Sequence, residues 1–378
     1  MKIIVSKSAI DGAVKNLSKV INKRNALPIL GDILCEVKDQ KMVMTGSDSE
    51  VIIITSIPLD MQDGEGKFCV GAKHLKDALS QLQEQPVTIS VNTDSDMRLT
   101  IHHQTGEIFF PADSPDEYPQ LATLKYNETL EDFNGECLRD ALKRSLWAVS
   151  NNDMRPIMTG VNFALKDGCL DIVASDGHVL VKSSYPLINK TSRHRIGSFL
   201  MPKKAANIIK DLIDTDKVKI EWNDRYAHIR LSQYDITFRL IDGKYPSYDK
   251  IIPTEQPLLA KVSRAHIMSS LRKVMPFTHD SCGIMMIRMS FDNDKIRLDS
   301  DDYELSTGAS DTLTVEYQFQ PITIGMNGSR LSSAIKHLDG DDISINMTDQ
   351  RSAIVLRPSE HHDDFNVLTL VMPVLLDE

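Results

Sequence analysis

The segment Ser175–His178 reads Ser-Asp-Gly-His, and it therefore brings a hydroxyl, a carboxylate and an imidazole close together in the sequence. A serine nucleophile, a histidine base and an aspartate that orients the histidine are the catalytic groups of many hydrolases. Such a serine commonly stands on a strained Gly-x-Ser-x-Gly turn, and the sequence contains no such motif. Hydrolysis through Asp176 and His178 is thus one hypothesis for this segment.

Two other segments begin with the same Ser-Asp pair and lack the histidine that follows it. Ser47–Glu50 reads Ser-Asp-Ser-Glu, and Ser300–Tyr303 reads Ser-Asp-Asp-Tyr. Serine and aspartate side chains accept hydrogen bonds from backbone amides a few residues further on, which stabilises turns. Because the pair recurs without the other catalytic groups, the sequence favours three structural turns over a catalytic site.

The spacing of cysteine and histidine indicates no metal site. The cysteines stand at positions 35, 69, 137, 169 and 282, and no two of them form a Cys-x-x-Cys pair. His102–His103 and His361–His362 are adjacent pairs, which point to opposite faces of a strand. Neither His-Glu-x-x-His nor a phosphate-binding Gly-x-x-x-x-Gly-Lys motif occurs. We therefore predict no metal, no cofactor and no enzymatic activity.

The Ser-Asp pairs belong to a longer repeat with a period of about 125–130 residues, which is the length of a domain. Each copy has an apolar segment, a polar turn, a second apolar segment and then the Ser-Asp pair. The three copies are residues 37–48, 165–176 and 291–301. This pattern predicts a β-hairpin in each third of the chain.

Helix and strand patterns keep the same period as the hairpins. A first helix precedes each hairpin, with apolar residues three and four apart, as at Ile10, Val14 and Leu17. A second helix and an alternating strand follow it. Strands outnumber helices and short turns join them, so the predicted class is α+β, with two helices per domain packed on largely antiparallel sheets. The predicted domains are residues 1–126, 127–253 and 254–378.

Composition is that of a globular protein with an uneven distribution of charge. The chain has 378 residues, 41% of them hydrophobic, and a net charge of −10. Its longest aliphatic run, Val51–Ile54, is far too short to span a membrane, and the N-terminus has no signal-peptide pattern, so we expect a cytoplasmic protein. The predicted helices nevertheless carry about +9, which leaves about −19 for the rest.

Basic residues recur at equivalent positions of the first helices. Lys15, Lys143 and Arg272 are equivalent in the three copies, and Arg144 and Lys273 follow the last two. Cations on a common helical layer are suited to sequence-independent contacts with phosphates. The alternative is that they are ordinary exposed helix residues, which gene duplication would copy to each third.

Four further motifs occur in order on this repeat: Leu27–Gly31, Ala174–Leu180, Asp242–Tyr248 and Val371–Leu376. Together with the threefold repeat, they resemble the bacterial β sliding clamp family, the β subunits of DNA polymerase III, over the whole chain. The resemblance implies the DNA clamp fold and a head-to-tail homodimer that closes into a six-domain ring around duplex DNA. It implies no catalytic site.

The resemblance also implies partners and contact residues. The expected partners are duplex DNA, a second copy of the chain, the replicative polymerase α subunit, clamp loader subunits, and other polymerases and repair proteins that bind through short linear peptides. By motif match, additional DNA contacts would be made by Arg24, Asn152, Arg155, Lys203 and Lys204. Near them, Pro156–Ile157 replaces an aromatic pair that is common in the family.

A peptide pocket and a dimer interface complete what the resemblance implies. The pocket residues by motif match are Met158, Ser175, Gly177, His178, Leu180, Pro246, Lys250, Ile251, Val371, Met372, Pro373 and Val374. Val179 and Leu375 stand where the family commonly has other residues, which bears on peptide preference. At the dimer interface we expect Ile108 and Phe110 to meet Met275 and Phe277 of the second copy.

Two alternatives to a clamp stay open from the residues alone. One is the hydrolase that uses Asp176 and His178. The other is a ring-shaped or arc-shaped scaffold that does not bind DNA, for which the helix cations would have no function.

Overall fold

The computed structural model describes residues 1–22, 27–92, 97–119, 124–166, 168–187, 197–278, 280–281, 284–302, 304–360 and 365–376. Arg24, Cys282 and the pair at 361–362 lie outside these ranges. The chain divides into two compact units. Unit 1 contains residues 1–139 and 207–240, and unit 2 contains residues 140–206 and 241–378.

The described part of the chain contains two α-helices in each third, as the repeat predicts. Their bounds are α1 Lys7–Leu17, α2 Ala72–Ser80, α3 Gly135–Ser145, α4 Lys203–Leu212, α5 Arg264–Val274 and α6 Gly328–Lys336. Their apolar faces are buried as the spacing predicts: Ile10, Val14 and Leu17 in α1 are at most 1% exposed. In α5, Ile267 and Leu271 are fully buried. Burial of one apolar stripe is what holds such short helices in place.

Most of the regular secondary structure in the described residues is β-strand. From residue 1 to 134 they are β1 Lys2–Ser6, β2 Asp32–Lys38, β3 Lys41–Ser47, β4 Val51–Pro58, β5 Met61–Asp63, β6 Gly66–Gly71, β7 Pro86–Asn92, β8 Arg98–His103, β9 Gly106–Asp113 and β10 Glu128–Asn134. From residue 160 to 239 they are β11 Gly160–Lys166, β12 Cys169–Ser175, β13 Val179–Pro186, β14 Gly197–Pro202, β15 Lys217–Trp222, β16 Tyr226–Arg230 and β17 Tyr234–Arg239. The remainder are β18 Leu258–Ser263, β19 Asp280–Ser281, β20 Ile284–Asp292, β21 Lys295–Asp302, β22 Thr307–Thr314, β23 Ile322–Asn327, β24 Asp342–Met347, β25 Ile354–Pro358 and β26 Asn366–Val371.

Unit 1 is built on one antiparallel sheet. Its strand order is β10-β15-β16-β17-β4-β3-β2-β6-β9-β8-β7-β1-β5. The pairing of β17 with β4 joins strands that are far apart in the sequence, with Phe238 opposite Val51. This pairing makes residues 207–240 part of the same unit as the N-terminal residues.

Unit 2 contains two antiparallel sheets. The larger has the order β14-β11-β12-β13-β26-β25-β24-β18, and in the smaller β19, β20, β21 and β22 follow one another while β23 pairs with β20. β26 pairs with β13, with Val371 opposite Val179. The predicted α+β class with largely antiparallel sheets is therefore confirmed.

The predicted hairpins are present in each third. β2–β3, β11–β12 and β20–β21 are antiparallel neighbours, and two residues separate the strands of each pair in the sequence. In the first, Asp39 and Gln40 have φ of 52° and 59°, and in the third, Asn293 and Asp294 have φ of 45° and 59°. Positive φ at both central positions matches the twist of paired strands, and asparagine and aspartate tolerate it well.

Candidate functional site

The turn at residues 175–179 uses its serine and aspartate to bind the backbone. Asp176 Oδ1 accepts hydrogen bonds from the amides of His178 and Val179, both at 2.8 Å. Ser175 Oγ accepts from the amide of Gly177 at 3.1 Å and donates to the carbonyl of Val179 at 2.6 Å. The Ser175 hydroxyl therefore donates its hydrogen bond to a backbone carbonyl, whereas the serine of a hydrolase donates to the imidazole of its histidine.

The same turn recurs in unit 1, and the described residues do not form it at Ser300–Asp301. Asp48 Oδ1 accepts from the amides of Glu50 at 3.0 Å and Val51 at 2.8 Å. At Ser300–Asp301 the predicted turn is wrong, because β21 continues through these residues and Asp301 forms an ion pair with Arg288. The Asp301 carboxylate, which the prediction assigned to the turn amides, instead pairs with Arg288 on the neighbouring strand.

The C-terminal segment is fixed beside the 175–179 turn by two backbone hydrogen bonds. The amide of Met372 donates to the carbonyl of His178, and the amide of Val374 donates to the carbonyl of Gly325, each at 2.8 Å. Met372 is 40% exposed. The structure therefore places Met372 beside His178, and Pro373 and Val374 follow it in the chain.

The other predicted pocket residues divide into a buried floor and an exposed rim. Met158, Ser175, Leu180 and Val371 are each less than 10% exposed. Leu180 belongs to an apolar cluster with Tyr248 and Leu370, against which Tyr245 packs. The exposed residues are Pro246, Lys250 and Ile251, which are close in the sequence to the cluster residues Tyr245 and Tyr248. An apolar floor with a few polar groups at its edge is the usual form of a peptide pocket.

Two arginines lie at this turn that the sequence did not assign to the pocket. Arg155, expected to contact DNA, has its Nη1 3.6 Å from the position that a Cβ on Gly177 would take. Arg330 Nε lies 3.9 Å from Asp176 Oδ2. Arg330 is far from the turn in the sequence and no motif includes it, so only the folded structure could reveal this contact. Val179 is buried, and Leu375 is 69% exposed.

The loop after Tyr245 is anchored by an ion-pair network. Lys182 Nζ lies 3.0 Å from Asp171 Oδ2 and 3.1 Å from Asp249 Oδ1, and Lys166 pairs with the same two carboxylates. Tyr248 donates its hydroxyl proton to Asp171 Oδ2 at 2.9 Å. Burial alone would raise the pKa of Asp249, but hydrogen bonds from Lys166 and Lys182 outweigh it and hold that pKa below its ordinary value.

We expect this network to make unit 2 less stable in acid. A carboxyl with a lowered pKa contributes stability above its unfolded pKa, near 4, and loses it as the pH falls through the folded pKa. Asp249→Asn should therefore flatten the fall of the melting temperature below about pH 4, by a few degrees at most because Asp249 is half-exposed. Thermal unfolding of both proteins between about pH 2.5 and 6 measures this. Equal acid slopes would contradict the prediction.

Most of the predicted DNA-contact residues are exposed. Lys143, Asn152, Arg155 and Arg272 are exposed, and Lys203 and Lys204 are partly exposed at the start of α4. Lys15 is 54% exposed and pairs with Asp11 at 2.9 Å. Lys273 is 61% exposed and pairs with Asp311. Surface pairs of this kind are weak, so they leave these cations available to phosphates.

Arg144 is the exception among these cations. Its side chain is 5% exposed, it pairs with Asp339, and its Nη2 donates to the hydroxyl of Tyr185 at 3.2 Å. Its guanidinium also lies 5.2 Å from the centre of the Phe365 ring. The assignment of Arg144 to DNA contact is therefore wrong, because adjacent residues on a helix point in different directions and only Lys143 points to solvent.

The predicted interface residues require one correction. Phe110 is 9% exposed and packs inside unit 1, whereas Phe109 is 57% exposed with Arg98 4.9 Å from its ring centre. The alternation of β9 places successive side chains on opposite faces, so Phe110 points to the core. Ile108 and Met275 are partly buried and Phe277 is 42% exposed.

The described residues contain no group of three or more His, Cys, Asp or Glu side chains arranged to hold a metal ion. Cys35 and Cys69 are buried free thiols, and Cys137 and Cys169 are partly buried free thiols. Of the helices that the structure describes, none is both long and apolar enough to cross a bilayer.

Three family models match successive parts of the chain. They describe the N-terminal, central and C-terminal domains of the DNA polymerase III beta subunit, and they match residues 1–122, 132–247 and 249–375. Among curated proteins, the beta sliding clamp of Halalkalibacterium halodurans is 24% identical over 381 residues, which cover 98% of this chain and 99% of the relative. The beta sliding clamp of Staphylococcus epidermidis is 23% identical over 384 residues, which cover 99% of each chain.

Solved structures share the fold over the full length. The DNA polymerase III subunit beta of Pseudomonas aeruginosa matches with a TM-score of 0.89 and 20% identity, covering all of both chains. A sliding clamp of the same organism, solved with griselimycin bound, matches with a TM-score of 0.92 and 21% identity over the same coverage.

Proposed function

The chain belongs to the DNA polymerase III beta subunit family, and from this premise we propose that it is a sliding clamp that confers processivity on the replicative DNA polymerase. The observation that carries the proposal is the run of three successive family matches across nearly the whole chain. Two copies close head-to-tail into a ring around duplex DNA, with domains at residues 1–126, 127–253 and 254–378. Two copies joined in this way close by symmetry.

Retention on DNA is topological and independent of sequence in this proposal. Exposed cations such as Lys15, Lys143 and Arg272 contact phosphates, which carry no sequence information, so the ring can move along the duplex. The acidic remainder of the chain disfavours contact with DNA elsewhere on the surface. The exposed Phe109 replaces the predicted Phe110 as the aromatic contribution of β9 to the interface, opposite Met275 and Phe277 of the second copy.

Partners bind the pocket beside the 175–179 turn through short linear peptides. The polymerase α subunit, clamp loader subunits, and other polymerases and repair proteins are the proposed partners. The apolar floor around Leu180 accepts leucine and phenylalanine side chains, and Met372 closes over them. The clamp itself performs no catalysis, because the hydroxyl of Ser175 and the carboxylate of Asp176 are bonded to the backbone. We place this function in the cytoplasm.

The direct test is retention on circular and linear DNA. We expect protein loaded by a clamp loader and ATP onto a nicked circular plasmid to co-elute with the DNA in gel filtration. Cutting the plasmid once should release it, because the ring slides off the ends. Equal retention on cut and uncut DNA would contradict topological binding, and no retention on either would favour a scaffold that does not bind DNA.

A further inference from the structure

A cavity of about 540 Å³ lies on the eight-stranded sheet of unit 2, away from the 175–179 turn in the strand order. Residues of β18, β24, β25 and β26 line it: Leu259, Lys261, Ser344, Asn346, Arg357 and Asn366. Its volume is within the range of small-molecule sites. Neither the clamp mechanism nor the peptide pocket uses this cavity.

A partly buried arginine in this cavity has no counter-ion. Lys261 is opposite Ser344, and Ser344 is opposite Arg357, so the two cations stand on one row across three strands. Arg357 Nη1 donates to the neutral amide oxygen of Gln256 at 3.1 Å, and in the described part of the chain no carboxylate pairs with it. Burial lowers the pKa of Arg357 as a result. Desolvating a guanidinium without an opposite charge is costly.

The equivalent arginine of unit 1 has the carboxylate partner that Arg357 lacks among the described residues. Arg230 is opposite Lys219 in the same strand arrangement, and its Nε lies 3.1 Å from Asp235 Oδ1. Continuing the β25–β26 register places Leu368 opposite Arg357, at the position equivalent to Asp235. Glu221, which pairs with Lys219 in unit 1, is equivalent to Asn346. Unit 2 therefore has the arginine with uncharged residues at both of these positions.

Two buried oxygens in the same cavity also lack partners. Asn346 Oδ1 and Ser359 Oγ are inaccessible to solvent and accept or donate no hydrogen bond to any described residue. Leaving a buried polar atom without a partner is unfavourable. A ligand that fills this cavity must offer an anion to Arg357. Phe365 is also among the residues that line the cavity.

We propose that this cavity binds a small organic phosphate the size of a nucleoside monophosphate. The guanidinium fork of Arg357 matches two phosphate oxygens, and Lys261 supplies a second positive charge. Among the described lining residues the two cations face one acid, Glu360, which favours a dianion over a carboxylate. The organic part of the ligand fills the rest of the cavity, which Phe365 also lines. This site is additional to the peptide pocket and does not depend on the clamp function.

Isothermal titration calorimetry with AMP, inorganic phosphate and adenosine as probes tests the proposal on the full-length protein. We expect AMP to bind, phosphate to bind more weakly, and adenosine not to bind. Arg357→Gln should weaken AMP binding at least about tenfold, because it removes a charge-assisted hydrogen bond. Arg230→Gln removes the equivalent, already paired arginine and should leave AMP binding unchanged.

A second variant keeps the arginine and supplies the missing charge. Asn346→Asp has nearly the same shape and gives Arg357 an internal carboxylate, so it should weaken AMP binding to a similar extent without loss of the fold. Thermal unfolding checks that each variant is folded. No AMP binding to the original protein, or equal binding to the Arg357→Gln variant, would overturn the proposal, as would adenosine binding as tightly as AMP.

Discussion

Arg144→Ala will destabilise unit 2 by about 2–4 kcal/mol, whereas Lys143→Ala will change stability by less than about 0.5 kcal/mol. The arginine side chain is buried against Asp339, Tyr185 and Phe365, so its removal leaves a cavity and breaks its hydrogen bond with the Tyr185 hydroxyl. The lysine on the next position is exposed. Chemical denaturation of the two variants measures the difference.

In DNA binding we expect the reverse order, with a larger effect of Lys143→Ala than of Arg144→Ala. Lys143→Ala removes one phosphate contact per copy, so the salt dependence of DNA binding should decrease by about one counter-ion per copy. Folded Arg144→Ala protein, measured well below its melting temperature, should keep the original salt dependence. If Arg144→Ala changed the salt dependence and left stability intact, the buried assignment of Arg144 would be wrong.

Gly325→Val will disrupt the peptide pocket from a distance. A Cβ at position 325 would clash with the carbonyl of Val374 and lie 2.8 Å from Leu376 Cδ2. The C-terminal segment must then leave β23, and the hydrogen bond between Val374 and Gly325 is lost. Because Met372 and Pro373 belong to this segment, we expect the affinity for a peptide carrying leucine and phenylalanine to fall more than about tenfold.

Fluorescence anisotropy with a labelled peptide of this type measures the effect. Met372→Ala combined with Pro373→Ala should weaken binding in the same way and leave the dimer intact in gel filtration. Gly31→Ala is the matched control, since no atom lies within 4 Å of its added Cβ. Unchanged affinity in the Gly325→Val protein would mean that the C-terminal segment does not form the pocket.

Local patterns predicted the elements of this fold well. Hairpins such as β2–β3 follow from two apolar runs around Asp39–Gln40, and the buried side of α1 follows from the spacing of Ile10, Val14 and Leu17. The 175–179 turn was also predictable, because its hydrogen bonds join residues that are two to four positions apart.

The errors have a common physical origin in contacts between distant residues. The sequence does not distinguish Arg144 from Lys143 as a DNA contact. Arg144 is buried in the folded chain, where it pairs with Asp339 on a remote segment. Phe110 and Phe109 differ only in which face of β9 they occupy, which depends on strand register. The Ser300–Asp301 turn was lost to an ion pair with Arg288 on the neighbouring strand. Charge and residue type alone contain none of this information.

The pairing of β4 with β17 has a consequence for synthesis on the ribosome. Val51 leaves the ribosome early, but its strand gains its second neighbour only when Phe238 has emerged, and by then the first segment of unit 2 has also been made. Likewise, β13 gains β26 as a neighbour only after residue 371 has been made. Until then each nascent unit exposes an unpaired strand edge, which is a site for aggregation. A message truncated before residue 234 would therefore yield a chain in which neither unit can be completed.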